Sequence, residues 1–103
     1  MAVTKVTAET FEAEVLRSEQ TVIVDFNADW CGPCRMLGPV LEEVSEKLTD
    51  VKFVSVNIDD EDLLAEDYEV FSIPCLVVFK NGEEVNRSVG LISAGEIAAL
   101  AGE

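Results

Sequence analysis

Apolar positions along the chain follow two alternating patterns, one typical of buried strands and one typical of helices. Residues 21–26 are almost continuously apolar and rich in β-branched side chains, which predicts a strand buried on both faces, and residues 51–58 predict a second such strand. From about residue 34 to residue 48, apolar positions recur every three or four residues, which predicts a helix. Pro39 lies inside this helix, where a proline usually introduces a kink.

Local signals predict the remaining elements. Asn81-Gly82 separates two strand-like segments, and this dipeptide favours a tight hairpin because both residues tolerate positive φ. Ser93 and Glu96 form a capping-box pattern, which predicts the start of a last short helix. The segments not yet placed are a strand at 3–6, a helix at 8–17 with Thr7 as its N-cap, an acidic helix at 59–68 and the hairpin strands at 75–80 and 83–89.

The resulting order is β-α-β-α-β-α-β-β-α. It predicts an α/β fold in which helices pack on the faces of a mixed sheet, with right-handed parallel crossovers. A chain of 103 residues without repeats or linkers is expected to be a single domain spanning 1–103.

Composition excludes several classes of function. The chain has no histidine, which removes imidazole catalysis and His-ligated metal sites. Lys and Arg total 7 against 21 Asp and Glu, a net charge of −14 that argues against nucleic acid and against a polybasic membrane anchor. This charge is interpreted first as a source of solubility, and second as an indication that partners present basic rims.

The sequence shows no targeting or membrane segment, and this absence sets the expected compartment. Residues 1–10 lack the apolar run of about 7–15 residues that a signal peptide needs, and no stretch approaches the roughly 20 apolar residues of a membrane helix. We therefore expect a soluble, cytoplasmic protein. In that setting, three cysteines with two of them closely spaced favour redox or metal chemistry over structural bridging.

The pair Cys31-Gly32-Pro33-Cys34 follows a buried strand and opens a helix. Residues three apart in a first helical turn share a face, so the two sulfurs can reach bonding distance. The free N–H groups and positive dipole end of a helix N-terminus favour a thiolate. We expect Cys31 to be exposed and to attack a disulfide, and the shielded Cys34 to attack the mixed disulfide and release the product. The alternative is half of a thiolate metal site, but a second cysteine pair is missing.

Landmarks along the whole chain match one family. They are Trp30-Cys31-Gly32-Pro33-Cys34, Asp25 six positions before Cys31, Pro39, Ile73-Pro74, the 79–82 turn and Gly90. With these residues the chain resembles the thioredoxin family. The resemblance implies the thioredoxin fold, a central mixed five-stranded sheet flanked by four helices in three α/β/α layers. It also implies reduction of protein disulfides by dithiol–disulfide exchange, with the Cys31–Cys34 pair as the redox group and no bound cofactor or metal.

Asp25 is the one acid within an apolar strand. Burial disfavours the charged form of a carboxyl group and raises its pKa, so such a group can exchange protons near neutral pH. The resemblance implies that Asp25 lies beneath Cys34 and acts as the general base for its thiol. The alternative is that Asp25 faces outward at the end of the strand.

Pro74 is expected to shape the docking surface. X-Pro bonds are rarely cis, so the sequence alone predicts a trans bond. The resemblance implies a cis bond that faces the cysteines and exposes the backbone of Ile73 to an extended substrate strand. The docking residues implied in this way are Trp30, Gly32, Pro33, Ile73, Pro74 and Gly90.

Three positions depart from the family pattern. Cys75 replaces the usual threonine after the proline, and it is interpreted as a small buried residue or, alternatively, as a third oxidisable thiol. Asn27 stands where most members carry tryptophan, so a large apolar neighbour of the active-site loop is missing. Ser55 stands where many carry lysine, so burial should govern the pKa of Asp25. The acidic run at 59–62 is interpreted as capping and solvating a helix start without a chemical role.

The function implied is that of a monomeric protein-disulfide reductase recharged by a thioredoxin reductase. Thiol peroxidases and reductases are the expected protein substrates. Two other functions stay open, an oxidant or isomerase variant and a binding module that uses the fold without turnover.

Overall fold

The computed structural model describes residues 3–103, so Met1 and Ala2 of the predicted domain lie outside the described residues. Five strands form one sheet in the order β1-β3-β2-β4-β5, with β1, β3 and β2 parallel and β4 and β5 antiparallel to their neighbours. The elements are β1 (Val3–Lys5), α1 (Ala8–Phe11, continued by a π-helical segment Glu12–Leu16), β2 (Thr21–Asn27), α2 (Gly32–Lys47), β3 (Val51–Asn57), α3 (Asp62–Asp67), β4 (Cys75–Lys80), β5 (Glu83–Val89) and α4 (Ala94–Leu100).

The central strand β2 divides the interior into two cores. Val22, Val24 and Phe26 belong to the core that includes residues of α1 and α3. Ile23, on the other face, belongs to the core that includes residues of α2 and α4. Side chains two apart on a strand share a face, so Asp25 lies on the α2 side. The predicted α/β fold, a mixed five-stranded sheet with four helices, is confirmed.

Helix α2 begins two residues before the predicted start at position 34. Cys31 is its N-cap and Pro33 lies in the first turn, where the missing N–H of proline costs nothing. Pro39 lies inside the helix, as predicted. Because α2 starts immediately after Cys31, both cysteines belong to its N-terminal end.

Helix α3 is shorter than the predicted 59–68 segment. Asn57 Oδ1 accepts hydrogen bonds from the N–H groups of Asp59 at 2.8 Å and Asp60 at 3.4 Å. These contacts hold residues after β3 in a turn, so the helix begins only at Asp62. None of the helices in residues 3–103 combines the length and apolar character needed to cross a membrane.

The predicted hairpin turn and the predicted capping box, both in the C-terminal half of the chain, are confirmed. Asn81 and Gly82 both have positive φ, 53° and 80°, and join β4 to β5 at the predicted residues. The Ser93 N–H donates to Glu96 Oε1 at 2.9 Å, and the Glu96 N–H donates to Ser93 Oγ at 3.2 Å, which completes the capping box of α4.

Gly82 is required for a second reason besides its positive φ. A Cβ added at this position would lie 2.8 Å from the Leu16 carbonyl oxygen, a backbone atom that cannot move away alone. We expect Gly82→Ala to lower the free energy of unfolding by roughly 1–3 kcal/mol, measured by urea denaturation. The matched control is Gly95→Ala in α4, where an added Cβ meets nothing within 4 Å. An equal loss of stability in both variants would contradict the account of the turn.

Candidate active site

The cysteine pair lies at the junction of β2 and α2. The sulfurs of Cys31 and Cys34 are within bonding distance, and their Cα atoms are 5.2 Å apart. The backbone N–H of Cys34 donates to Cys31 Sγ at 3.3 Å. The positive end of the helix and this N–H both stabilise negative charge on the Cys31 sulfur.

The expectation that Cys31 is exposed is wrong for this bonded state. Cys31 and Cys34 are each 5% exposed. Both belong to a small apolar cluster with Ala28, against which Ile58 and Ile73 pack. The two residues are equally buried and differ in their position relative to the helix N-terminus, with Cys31 at the N-cap and Cys34 inside the first turn.

Asp25 lies behind the pair. It is 6% exposed, so the alternative of an outward-facing carboxylate is excluded. Asp25 and Cys34 line one cavity of about 480 Å³, together with Asn27 and Ser55. Burial raises the pKa of Asp25 to about 7, and a hydrogen bond from Asn27 acts against this rise.

The residues at positions 27 and 55 do more than the sequence interpretation indicates. Asn27 Nδ2 donates to Ser55 Oγ at 2.8 Å and approaches Asp25 Oδ2 at 3.3 Å. The sequence interpretation treats Asn27 as the loss of a large apolar neighbour and Ser55 as the loss of a charge, and it expects burial to govern the pKa of Asp25, which agrees with the larger of the two causes of the shift. Residues 25 and 27 share a face of β2, but Ser55 comes beside them only through the register of β2 and β3, which the sequence alone does not give.

The Ile73–Pro74 peptide bond is cis, as the resemblance implies. The Ile73 carbonyl oxygen lies 3.9 Å from Cys31 Sγ, and the N–H of Gly90 donates to the Pro74 carbonyl at 2.8 Å. Gly90 has a φ of 99°, a conformation that favours glycine. The structure thus brings the loops before β4 and after β5 together beside the cysteines.

Trp30 precedes the pair and is 66% exposed. Its indole Nε1–H donates to Asp59 Oδ2 at 2.9 Å, which ties the ring to the turn after β3. One member of the acidic run, Asp59, therefore has a structural contact besides solvent. Sequence reasoning also missed Phe71, which is 86% exposed two residues before Ile73. An apolar residue in a loop between two predicted elements was the available signal.

Cys75 lies on the opposite face of the sheet from Asp25. It is 1% exposed, unbonded in the described chain, and packs in the core on the α1 and α3 side of the sheet. Desolvation raises the pKa of its thiol, which keeps it in the less reactive protonated form. These observations favour the interpretation of Cys75 as a small packing residue.

Comparison with known proteins identifies the family. A family model described as Thioredoxin matches residues 2–103. The chain belongs to the thioredoxin family. The thioredoxin of Pyropia yezoensis is 41% identical over 100 residues, covering 96% of this chain and 94% of that protein. Thioredoxin 1 of Synechococcus elongatus is 46% identical over 94 residues, covering 90% and 88%. The thioredoxin of Streptomyces clavuligerus is 49% identical over 85 residues, covering 82% and 79%.

Family membership and the bonded pair together establish the chemistry. The protein is a thiol–disulfide oxidoreductase, and its role is that of a protein-disulfide reductase. The predicted function is confirmed at this level. Among residues 3–103, no group of three or more His, Cys, Asp or Glu side chains is arranged to hold a metal ion.

Proposed function

We propose that the pair reduces protein disulfides in two exchange steps, with Cys31 as the attacking thiol. The Cys31 thiolate attacks one substrate sulfur, forms a mixed disulfide and releases the other substrate sulfur as a thiolate. The observation that carries this assignment is the location of Cys31 at the N-cap of α2, where the Cys34 N–H donates to its sulfur. Both features favour the thiolate, which is the reactive form.

Cys34 completes the exchange. Its thiolate attacks Cys31 Sγ, forms the Cys31–Cys34 disulfide and releases the second substrate sulfur, so two electrons pass to the substrate. Asp25 accepts the Cys34 proton as general base, and that proton ends on solvent or on the released thiolate. The shared cavity and the Asp25 pKa of about 7 support this role. The reaction uses no bound cofactor, because the pair itself carries both electrons.

An extended substrate segment docks beside the pair. The backbone N–H and C=O of Ile73 make no backbone hydrogen bond within the described residues, so they are open to strand pairing. Trp30 and Phe71 offer exposed apolar surface around them. We assign docking to Trp30, Gly32, Pro33, Ile73, Pro74 and Gly90, as the family resemblance implies, and add Phe71.

The protein acts as a monomeric single domain over residues 1–103. A thioredoxin reductase recharges it, and its substrates include thiol peroxidases and reductases. A net charge of −14 favours partners with basic rims around an apolar contact. The free thiol of Cys75 is typical of a reducing compartment, which supports a cytoplasmic location.

Replacing Asp25 by asparagine tests the assigned base. We expect the release step to slow roughly ten- to a hundredfold near pH 7, because Cys34 loses the group that accepts its proton. Formation of the mixed disulfide on Cys31 should keep its rate. Quenched single-turnover reduction of insulin, resolved by mass, measures both steps separately.

The matched control is Asp50→Asn, which removes an exposed carboxylate in the turn before β3. It should leave both rates unchanged. Equal release rates in wild type and Asp25→Asn would remove Asp25 from the mechanism.

A further inference from the structure

Three polar side chains, the buried Asp25 and the half-buried Asn27 and Ser55, form a cluster that lines the cavity on the α2 side of the sheet. The amide nitrogen of Asn27 is within hydrogen-bond distance of three oxygens, Ser55 Oγ at 2.8 Å, the Asp25 backbone carbonyl at 3.0 Å and Asp25 Oδ2 at 3.3 Å. Asp25 is opposite Ser55 in the parallel register of β2 and β3. The backbone of two central strands therefore holds all three residues in place.

The two carboxylate oxygens of Asp25 differ in their hydrogen-bond partners. Oδ2 of Asp25 receives the Asn27 amide, whereas Oδ1 is buried and has no hydrogen-bond partner among the described residues. A buried acceptor without a partner costs free energy, which makes Oδ1 the oxygen that gains most from binding a proton. Ser55 accepts the shortest of the three contacts, and it limits the positions that the amide can take.

We propose that Asn27, held by Ser55, is a positioning residue that occupies Oδ2 of Asp25 and leaves Oδ1 to accept the Cys34 proton. This inference rests on the proposed role of Asp25 as general base. The amide donates only to the oxygens and favours the ionised carboxylate, so it supports the state that can take up a proton.

Other ionisable groups face the same cavity and must be considered. Lys5 comes from β1, Asp29 from the loop before α2, and Arg35 and Glu42 from α2. Lys5 pairs with Asp60 at 3.7 Å, and the guanidinium of Arg35 donates to the Asp29 carbonyl at 3.3 Å. Cys75 of β4 does not line this cavity and lies in the core on the other face of the sheet, but the charge of Asp25 contributes to the raised pKa of its thiol. The effects that set the pKa of Asp25 are burial, which raises it, and the Asn27 hydrogen bond, which lowers it.

The test replaces Asn27 by leucine, which has a similar volume and no donor. We expect the pKa of Asp25 in the reduced protein to rise by about one unit. The NMR chemical shift of its carboxyl carbon, recorded against pH, measures this pKa. Single-turnover insulin reduction should then shift its pH profile upward by the same amount. At about pH 7 the release step should slow about fivefold, and it should recover at higher pH. Ser55→Ala should raise the pKa of Asp25 and shift the pH profile in the same direction, but by less. Because it deletes only one hydroxyl, it provides the test if the leucine variant does not fold.

Matched controls remove similar groups elsewhere. Asn86→Leu deletes an exposed amide that donates to the Leu100 carbonyl, and Ser45→Ala deletes a buried hydroxyl that donates to the Glu42 carbonyl. Neither should move the pKa of Asp25 or the pH profile.

The outcomes distinguish the positioning role of Asn27 from the general-base role of Asp25. Folded Asn27→Leu and Ser55→Ala variants with an unchanged Asp25 titration would overturn the positioning role, even if Asp25→Asn slows release. A raised Asp25 pKa with an unchanged pH profile of the release rate would also overturn the proposal. Asn27 would then act on Asp25, but Asp25 would not be the base. Parallel shifts in titration and rate support the proposal.

Discussion

Replacing Cys34 by serine is expected to abolish turnover and to leave substrate proteins attached to the domain as stable mixed disulfides. Serine cannot attack the Cys31–substrate bond, so the first exchange proceeds and the second does not. Catalysed reduction of insulin should fall by more than about a hundredfold. Non-reducing electrophoresis should show complexes that disappear on addition of dithiothreitol.

Two further variants define this result. Cys31→Ser should lose turnover to the same extent and form no complexes, because the attacking thiol is gone. Cys75→Ala should retain turnover, because Cys75 is buried in the core on the other face of the sheet. Complexes that form equally well with Cys31→Ser would contradict the assigned order of attack.

The second large effect is on stability, and it concerns Asp25→Asn. The pKa of Asp25 is about 7 in the folded protein against 3.8 for the model carboxyl group. Because the pKa is higher in the folded state, the stability that this group contributes is fully present below about pH 4. That contribution to the free energy of unfolding is lost as the pH rises to about 7. The total loss is about 4 kcal/mol, taking about 1.4 kcal/mol for each pH unit between the two pKa values.

Asparagine removes this penalty because it carries no charge at any pH. We expect Asp25→Asn to unfold at higher urea than wild type at about pH 8, and the gain to vanish near pH 4. Asp50→Asn serves as the exposed control and should stay within about 0.5 kcal/mol of wild type. The account of Asp25 as a desolvated carboxyl fails if the difference between Asp25→Asn and wild type is the same at both pH values.

Much of the fold follows from local sequence signals. Asn81-Gly82 placed the hairpin strands at their observed residues, because the turn requires positive φ that few dipeptides adopt. Helix α3 was predicted too long, since the Asn57 side chain holds the following residues in a turn and no periodic pattern records such a contact. The π-helical segment Glu12–Leu16 was also not predicted, because its apolar spacing is that of an ordinary helix.

The active site was predictable as far as its chemistry is local. The spacing of the two cysteines and their place before a helix indicate the redox pair, and the apolar surroundings of Asp25 indicate its burial. The contact between Asn27 and Ser55 depends on the register of two strands that lie far apart in sequence. The burial of Cys31 depends on the loop that carries Ile73, more than forty positions away. Such contacts require the assembled sheet and its loops.

The most direct test of the central claim is peptide mapping of the complexes formed by Cys34→Ser. Protease digestion without reduction, followed by mass spectrometry, identifies which cysteine of the protein is joined to the substrate. The mechanism proposed from the N-cap position of Cys31 predicts a single linkage, from Cys31 Sγ to a substrate cysteine. Linkage through Cys75, or turnover by Cys34→Ser without any mixed disulfide, would contradict it.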